Sequence, residues 1–200
     1  QTCALPIYAP LLRTKRPWPA VYDITDDWLH ENVPPREQRR RVLRERLLMA
    51  RADRVVVCSP ALAADRSRSR QVVTISNAVD VDHFRSPHTR PTDLPSAPVA
   101  LYVGTLHRER LDLDLVVQAA RHLPHVNFTF VGPNALTDGE EAPLRSLPNV
   151  HLLGARPYAA VPGYLQHCDV FIVPHVVTPF TESLDPIKLY ECREIGRAHV

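Results

Sequence analysis

Residues 99–133 read VALYVGTLHRERLDLDLVVQAARHLPHVNFTFVGP. Val99–Val103 is an unbroken apolar run ended by a glycine, the pattern of a strand covered on both faces. A turn over Gly104–Arg110 leads into a helix predicted over Leu111–Leu123. A second strand, Val126–Val131, closes at Gly132-Pro133. Strand, helix and strand in this order form a βαβ unit, which requires a parallel sheet.

The alternation continues on both sides. Downstream, a variable loop precedes a strand at Val150–Leu153, and a helix spans about Tyr158–His167 with a break near Pro162-Gly163. A strand follows at Val170–Val173, then a loop to Pro186, where a helix starts and runs through Arg193. Upstream, Ala20–Ile24 reads as a strand that ends in the acidic loop Thr25–Trp28. Pro34 and Pro35 open a long helix to about Asp53, proline being tolerated in a first helical turn. Val42, Leu43, Leu47 and Ala50 share one of its faces, with arginines around them. A strand at Arg54–Cys58, a short helix at Ala61–Asp65 with Ser59 as N-cap, and a strand at Val72–Ile75 complete this half. Arg85–Pro98 holds four prolines and no periodicity, which marks an inter-domain linker.

The expected architecture is therefore α/β, with two Rossmann-like parallel-sheet lobes at 9–85 and 99–193 joined by a linker at 86–98. Composition agrees. At 200 residues, 44% hydrophobic and 23% charged, the chain is neither disordered nor membrane-spanning. Cys3, Cys58, Cys168 and Cys192 are far apart and form no C-x-x-C pair, which excludes a zinc ribbon and fits a reducing compartment. The net charge of +2 is unevenly placed, since Pro34–Arg70 holds eleven arginines against four acids, a local balance of +7.

The two ends resemble translations of one DNA segment, a match that free codon choice over six residues explains less well. Residues 2–7 and 195–200 can be encoded by opposite strands of one segment, as expected when a sequencing adapter is translated with its insert. Residues 1–8 and 194–200 are accordingly read as foreign. Both lobes are then expected to be truncated, and the fragment alone is expected to be inactive.

In open parallel sheets, ligands bind beyond the carboxyl ends of the strands, and two such sheets are expected to face across a cleft. Gly104 permits backbone to approach a phosphate, with Arg108 or Arg110 adding charge, although a plain βα turn with solvated arginines explains the same residues. Gly132 and Gly154 end the following strands in the same way. Glu191, about one and a half turns into the helix after Pro186, suits paired ribose hydroxyls, or else a surface position. Asp185 reads as a helix cap. Asp23, Asp26 and Asp27 form an acidic cluster without a metal-binding motif, and the histidines lack zinc spacing, so no metal is expected. No G-x-S-x-G or P-loop pattern occurs. The arginine-rich helix lacks interleaved aromatics, which favours a solvated face or contact with anionic lipid head groups over nucleic acid.

Several strings taken together are familiar: Tyr22–Trp28, Arg51–Val55 leading to Ser59-Pro60, Ile75–Asp80 with Phe84, Tyr102–Leu106, Asn149–Gly154 and Asp185–Glu191. In this order they resemble bacterial family 4 glycosyltransferases of the GT-B fold, in the branch that makes teichuronic acid and other cell-surface polysaccharides. The resemblance implies retaining transfer from a nucleotide-sugar donor held mainly by the second lobe. It also implies a lipid-linked or polysaccharide acceptor, no metal or other cofactor, no nucleic acid, and a cytoplasmic location with peripheral contact at the inner membrane face. Glu191 matches the second glutamate of the family's E-x7-E motif. The first falls on Ser183, one residue after Glu182, and the family's phosphate-binding arginine and lysine fall on Thr105 and Arg110. Lys188 lies within the matched stretch. The family's catalytic histidine is not evident, and Asp23, Asp26 or Asp27 occupies its region. The departures at Ser183 and Thr105 keep open a second class, a nucleotide-binding homologue without transfer activity.

Overall fold

The computed structural model describes residues 18–31 and 33–196. The terminal stretches 1–8 and 197–200, and Cys3 with them, lie outside the described residues. The chain divides into two compact units, one formed by residues up to Asn77 with Val177–Asp185, the other by Ala78–Val176 with the residues from Pro186 on.

In the first unit, β1 (Val21–Ile24), β2 (Arg54–Val57) and β3 (Val73–Thr74) form a parallel sheet in that order, with Tyr22 beside Val55 and Ile24 beside Val57. Tyr22, Ile24, Val55 and Val57 alternate inward with period two and pack on Leu48 and Met49 of α1 (Pro35–Arg51) and Leu62 of α2 (Pro60–Arg66). Ser59 caps α2 as expected, its hydroxyl accepting from the Leu62 amide. The buried face of α1 is not the one anticipated. Glu45, Leu48, Met49 and the following Ala52 point inward, whereas Leu43 is 64% exposed and Ala50 is exposed too. Glu45 belongs to the inward face because Arg66 of α2 neutralises it, and apolar periodicity cannot register an inward carboxylate. Arg70 donates to the carbonyls of Met49 and Ala52 at 2.6 and 2.8 Å, closing the C-terminus of α1.

The second unit opens with α3 (Val81–Arg85), followed by β4 (Val99–Val103), α4 (Leu113–His122), β5 (Asn127–Val131), α5 (Asp138–Arg145) and β6 (Val150–Gly154). A 3-10 turn at Tyr158–Ala160 leads into α6 (Val161–His167), whose Pro162 sits in the first turn and so starts this helix instead of breaking it. After β7 (Val170–Phe171), α7 (Pro179–Glu182) returns to the first unit, and α8 (Ile187–Ile195) closes the second. The four strands are parallel in the order β6-β5-β4-β7. Central β4 sends Val99, Leu101 and Val103 into one core with Phe84, Leu165 and Phe171. Its Ala100 and Tyr102 enter the other core with Leu111, Val116 and Phe130. Burial on both faces is why its sequence is continuously apolar.

The stretch expected to be a free linker is packed onto the second unit. Phe84 and Leu94 are buried in its core, Gln166 holds the carbonyls of Phe84 and Ser86, and the His88 amide donates to Gln166. Asp93 accepts from Arg156 Nη2 at 2.6 Å and from the Tyr164 hydroxyl at 2.7 Å. The boundary therefore falls at Asn77, since these side-chain bonds fix a segment whose proline content suggested only extension. Glu194, taken as foreign, ends in an ion pair with Arg85 at 2.7 Å, and Ile195 packs against the core.

The Asp93 carboxyl is pushed up by burial, but the hydrogen bonds from Arg156 and Tyr164 outweigh this and hold it below the ordinary range. A carboxylate so depressed stabilises the fold above its unfolded value, near pH ~4, and that contribution fades as pH falls through the folded value. Thermal melts of the parent and Asp93→Asn should therefore show a lower Tm for the variant at neutral pH. The gap should close on acidification; a gap unchanged by pH would show that the charge plays no part.

Candidate functional site

The carboxyl ends of β4, β5 and β6 carry the three glycines singled out above. The Gly104 amide donates to Val131 at 2.9 Å and the Gly132 amide to Gly154 at 3.0 Å, so the three strand ends are laced side by side. Gly132 has φ +150°, and a Cβ there would lie 2.0 Å from the Gly104 carbonyl oxygen. Gly154 has φ +74°. At Gly132 the lack of a side chain is demanded by this close backbone approach, and at Gly154 by the positive φ. A Cβ on Gly104 would meet the Tyr102 hydroxyl at 2.7 Å; that hydroxyl donates to the Thr105 carbonyl.

Beside this edge, Arg110 is tied to the segment leaving β7 by the Val176 amide, which donates to the Arg110 carbonyl at 2.9 Å. Its guanidinium acts on two neighbours. His175 is held low first by burial and then by the Arg110 charge, which keeps its imidazole neutral. Burial raises the Tyr102 phenol to about 12 against the lowering effect of Arg110, and the Tyr102 ring meets His175 edge-on at 6.3 Å. Arg108 does not join them. It is exposed and leans toward Asp114 at 3.6 Å.

Glu191 of α8 is 2% exposed, which removes the surface-glutamate reading. Lys188, one turn earlier, donates to both of its oxygens at 2.8 and 2.7 Å. The charges of Glu191 and Asp80, after burial, push up the phenol of Tyr158. Tyr158 is itself exposed, with its ring stacked on His83 at 4.7 Å. His175 and Tyr158 were not picked out from the sequence, where nothing but their place in strand-end loops distinguished them.

The remaining candidates lie in the first unit. Asp27 is buried and pairs with Arg66 Nη2 and His30 Nδ1, each at 2.7 Å. Both of its oxygens are engaged, so it is a structural carboxylate. Asp23 faces away from the core on β1, and its charge, with those of Asp26 and Asp185, reaches Cys58. The Cys58 thiol is raised to about 11, by burial first and then by Asp185, Asp26 and Asp23. Among the described residues no group of His, Cys, Asp and Glu is arranged to hold a metal. Ser183 is buried, its hydroxyl donating to the Phe180 carbonyl and its own carbonyl accepting from Ser59, each at 2.7 Å. Glu182 is exposed at the end of α7. Asp185 is not the cap of α8, whose N-cap is Pro186; it accepts instead from the Asn77 amide at 2.7 Å. Lys188 and Glu191 thus stand in one unit, while Glu182 and Ser183 stand in the other.

The sequence profile described as Glycosyl transferases group 1 matches residues 97–200, more than half of the chain and most of the second unit. The chain belongs to the group 1 glycosyl transferases. TuaH of Bacillus subtilis, assigned as a candidate glycosyltransferase of teichuronic acid biosynthesis, is 28% identical over 94% of this chain and 51% of its own length. HepE of Anabaena, solved with UDP and glucose, superposes with a TM-score of 0.66 at 19% identity, covering 90% of this chain and 52% of HepE. TarM of S. aureus, solved with fondaparinux, alpha-GlcNAc-glycerol and UDP, gives 0.72 at 15% identity over 97% of this chain and 39% of TarM. This group 1 chain therefore has the α/β fold of GT-B glycosyltransferases and spans about half the length of TuaH and of HepE. No helix among its described residues is long and apolar enough to cross a membrane.

Proposed function

We propose that the whole protein transfers a sugar, with retention at the anomeric carbon, from a nucleotide-sugar donor to a cell-envelope or polysaccharide acceptor, lipid-linked or free. The observation that carries this reading is the buried Glu191 carboxylate, held in place by Lys188 on the second unit. A fixed carboxylate accepts two ribose hydroxyls through charge-assisted bonds, and Lys188 pre-orients it. Transfer breaks the bond from the anomeric carbon to the diphosphate, and negative charge grows on the departing oxygen. Arg110, at the β4 edge, and Lys188 supply positive charge without a metal ion. Asp23 and Asp26 remain the candidates in the first unit, Asp27 being closed off by Arg66. The reaction is assigned to the cytoplasmic face of the membrane, with the arginine-rich α1 against anionic lipid and no role for nucleic acid.

The buried Ser183, in place of an acid, favours a second reading, nucleotide binding without transfer. Incubating the complete protein with radiolabelled UDP-glucose and envelope extract separates the two, because only the first predicts label in an acceptor. For Glu191→Gln, UDP affinity by calorimetry should fall by roughly 1.5–3 kcal/mol, as for a lost hydrogen bond to a charged group. Glu182→Gln, on exposed α7, should change it little. Equal UDP affinity for Glu191→Gln and the parent would remove Glu191 from the donor site.

A further inference from the structure

A cavity of about 490 Å³ opens in the first unit between α1 and the C-terminal end of α2. This is the size of a small-ligand site. Val42 and Met49 give it an apolar wall, and Arg46, Arg68 and Arg70 line it with positive charge. At its base the Arg66 charge is already met by Asp27, Glu45 and Asp65. Arg46 and Arg68 are different. Both are exposed, and neither forms an ion pair among the described residues. Arg70 is held in position by the carbonyls at the end of α1. Along the outer side of the same helix, Arg36, Arg39 and Arg40 are exposed and lead to Leu43, an apolar residue 64% exposed among arginines.

We propose that this cavity binds the head group of a single anionic phospholipid, its phosphate against Arg46 and Arg68 and its first methylenes against Val42 and Met49. The inference rests on the membrane contact proposed for α1 and gives that contact a specific site. Charge complementarity favours the phosphate, since among the described residues neither cation at the mouth pairs with a carboxylate, the lining acids Glu45 and Asp65 being turned to Arg66. The apolar wall favours a lipid over a free phosphate, because burying methylenes adds to the ionic attraction. Leu43 is placed to enter the head-group layer while the outer arginines lie along the bilayer surface.

The test separates a pocket from a merely basic face. Monomeric dihexanoylphosphatidylglycerol, below its micelle concentration, presents no charged surface, so calorimetry with it reads the pocket alone. Saturable one-to-one binding is expected, with dihexanoylphosphatidylcholine and glycerol 3-phosphate each binding much more weakly. Arg46→Ala with Arg68→Ala should weaken it roughly 25-fold, about fivefold for each basic residue at an anionic surface. Arg36→Ala with Arg39→Ala should leave monomer binding unchanged while reducing partition onto phosphatidylglycerol vesicles. Absence of saturable monomer binding overturns the pocket, and if vesicle binding persists then membrane contact of α1 stands without it. Glycerol 3-phosphate binding as tightly as the lipid, or duplex DNA retained with the same dependence on Arg46 and Arg68, also overturns it.

Discussion

Arg66→Met is expected to destabilise the first unit by about 3–5 kcal/mol, the usual consequence of removing one partner from a buried ion pair. Arg66 is 4% exposed and donates through Nη2 to Asp27 and through Nε to Glu45, both themselves buried. Methionine fills similar space but leaves two carboxylates facing each other without a cation. Even with Arg66 present, Glu45 is raised, burial outweighing the pull of the guanidinium. In the variant Glu45 loses the lowering effect of the guanidinium and is pushed up further, so folding takes up protons. A raised carboxyl destabilises most above its folded value, and the penalty vanishes below the unfolded value near pH ~4. Chemical denaturation across pH should therefore show Arg66→Met recovering part of its stability on acidification. A loss below about 1 kcal/mol at neutral pH, the worth of an exposed pair, would show the cluster to be solvated.

Gly132→Ala is expected to cost about 2–5 kcal/mol, adding the penalty of a positive φ to that of overpacking. The new Cβ meets backbone, the Gly104 carbonyl, which cannot swing aside without parting β4 from β5. Gly104→Ala provides the contrast. Its Cβ meets the far end of the Tyr102 side chain and no backbone atom, so a smaller loss is expected. Denaturation midpoints of the two variants should rank in that order. Equal losses would mean that the strand ends yield more readily than their hydrogen bonds suggest.

The second sheet is legible because its central strand β4 is apolar over its whole length, and glycines mark the ends of β4, β5 and β6. α5 reads as a loop in the sequence because Pro143 lies inside it and Gly139 in its first turn. The Thr137–Glu140 capping box was the signal that could have found it. The inward face of α1 was misread for a different reason: its position depends on Arg66, which is remote in sequence, and periodicity weighs each residue by itself. Glu191 stands out in the sequence only through its resemblance to a family motif, and Lys188 three residues before it makes their ion pair readable as well. Arg110 and His175 influence each other only through the closeness of two loops 65 residues apart, which no local pattern carries.

The path of the chain between its two units bears on how the protein can be divided. The second unit is left at Val176 and re-entered at Pro186, and it begins at Ala78, upstream of the proline-rich stretch. No single cut yields two intact pieces. An expression fragment starting at Val99 would omit Phe84 and Leu94 from its own core and strip Arg156 and Tyr164 of Asp93. A fragment starting at Ala78, with 177–185 replaced by a short glycine-serine bridge, would keep every one of those partners.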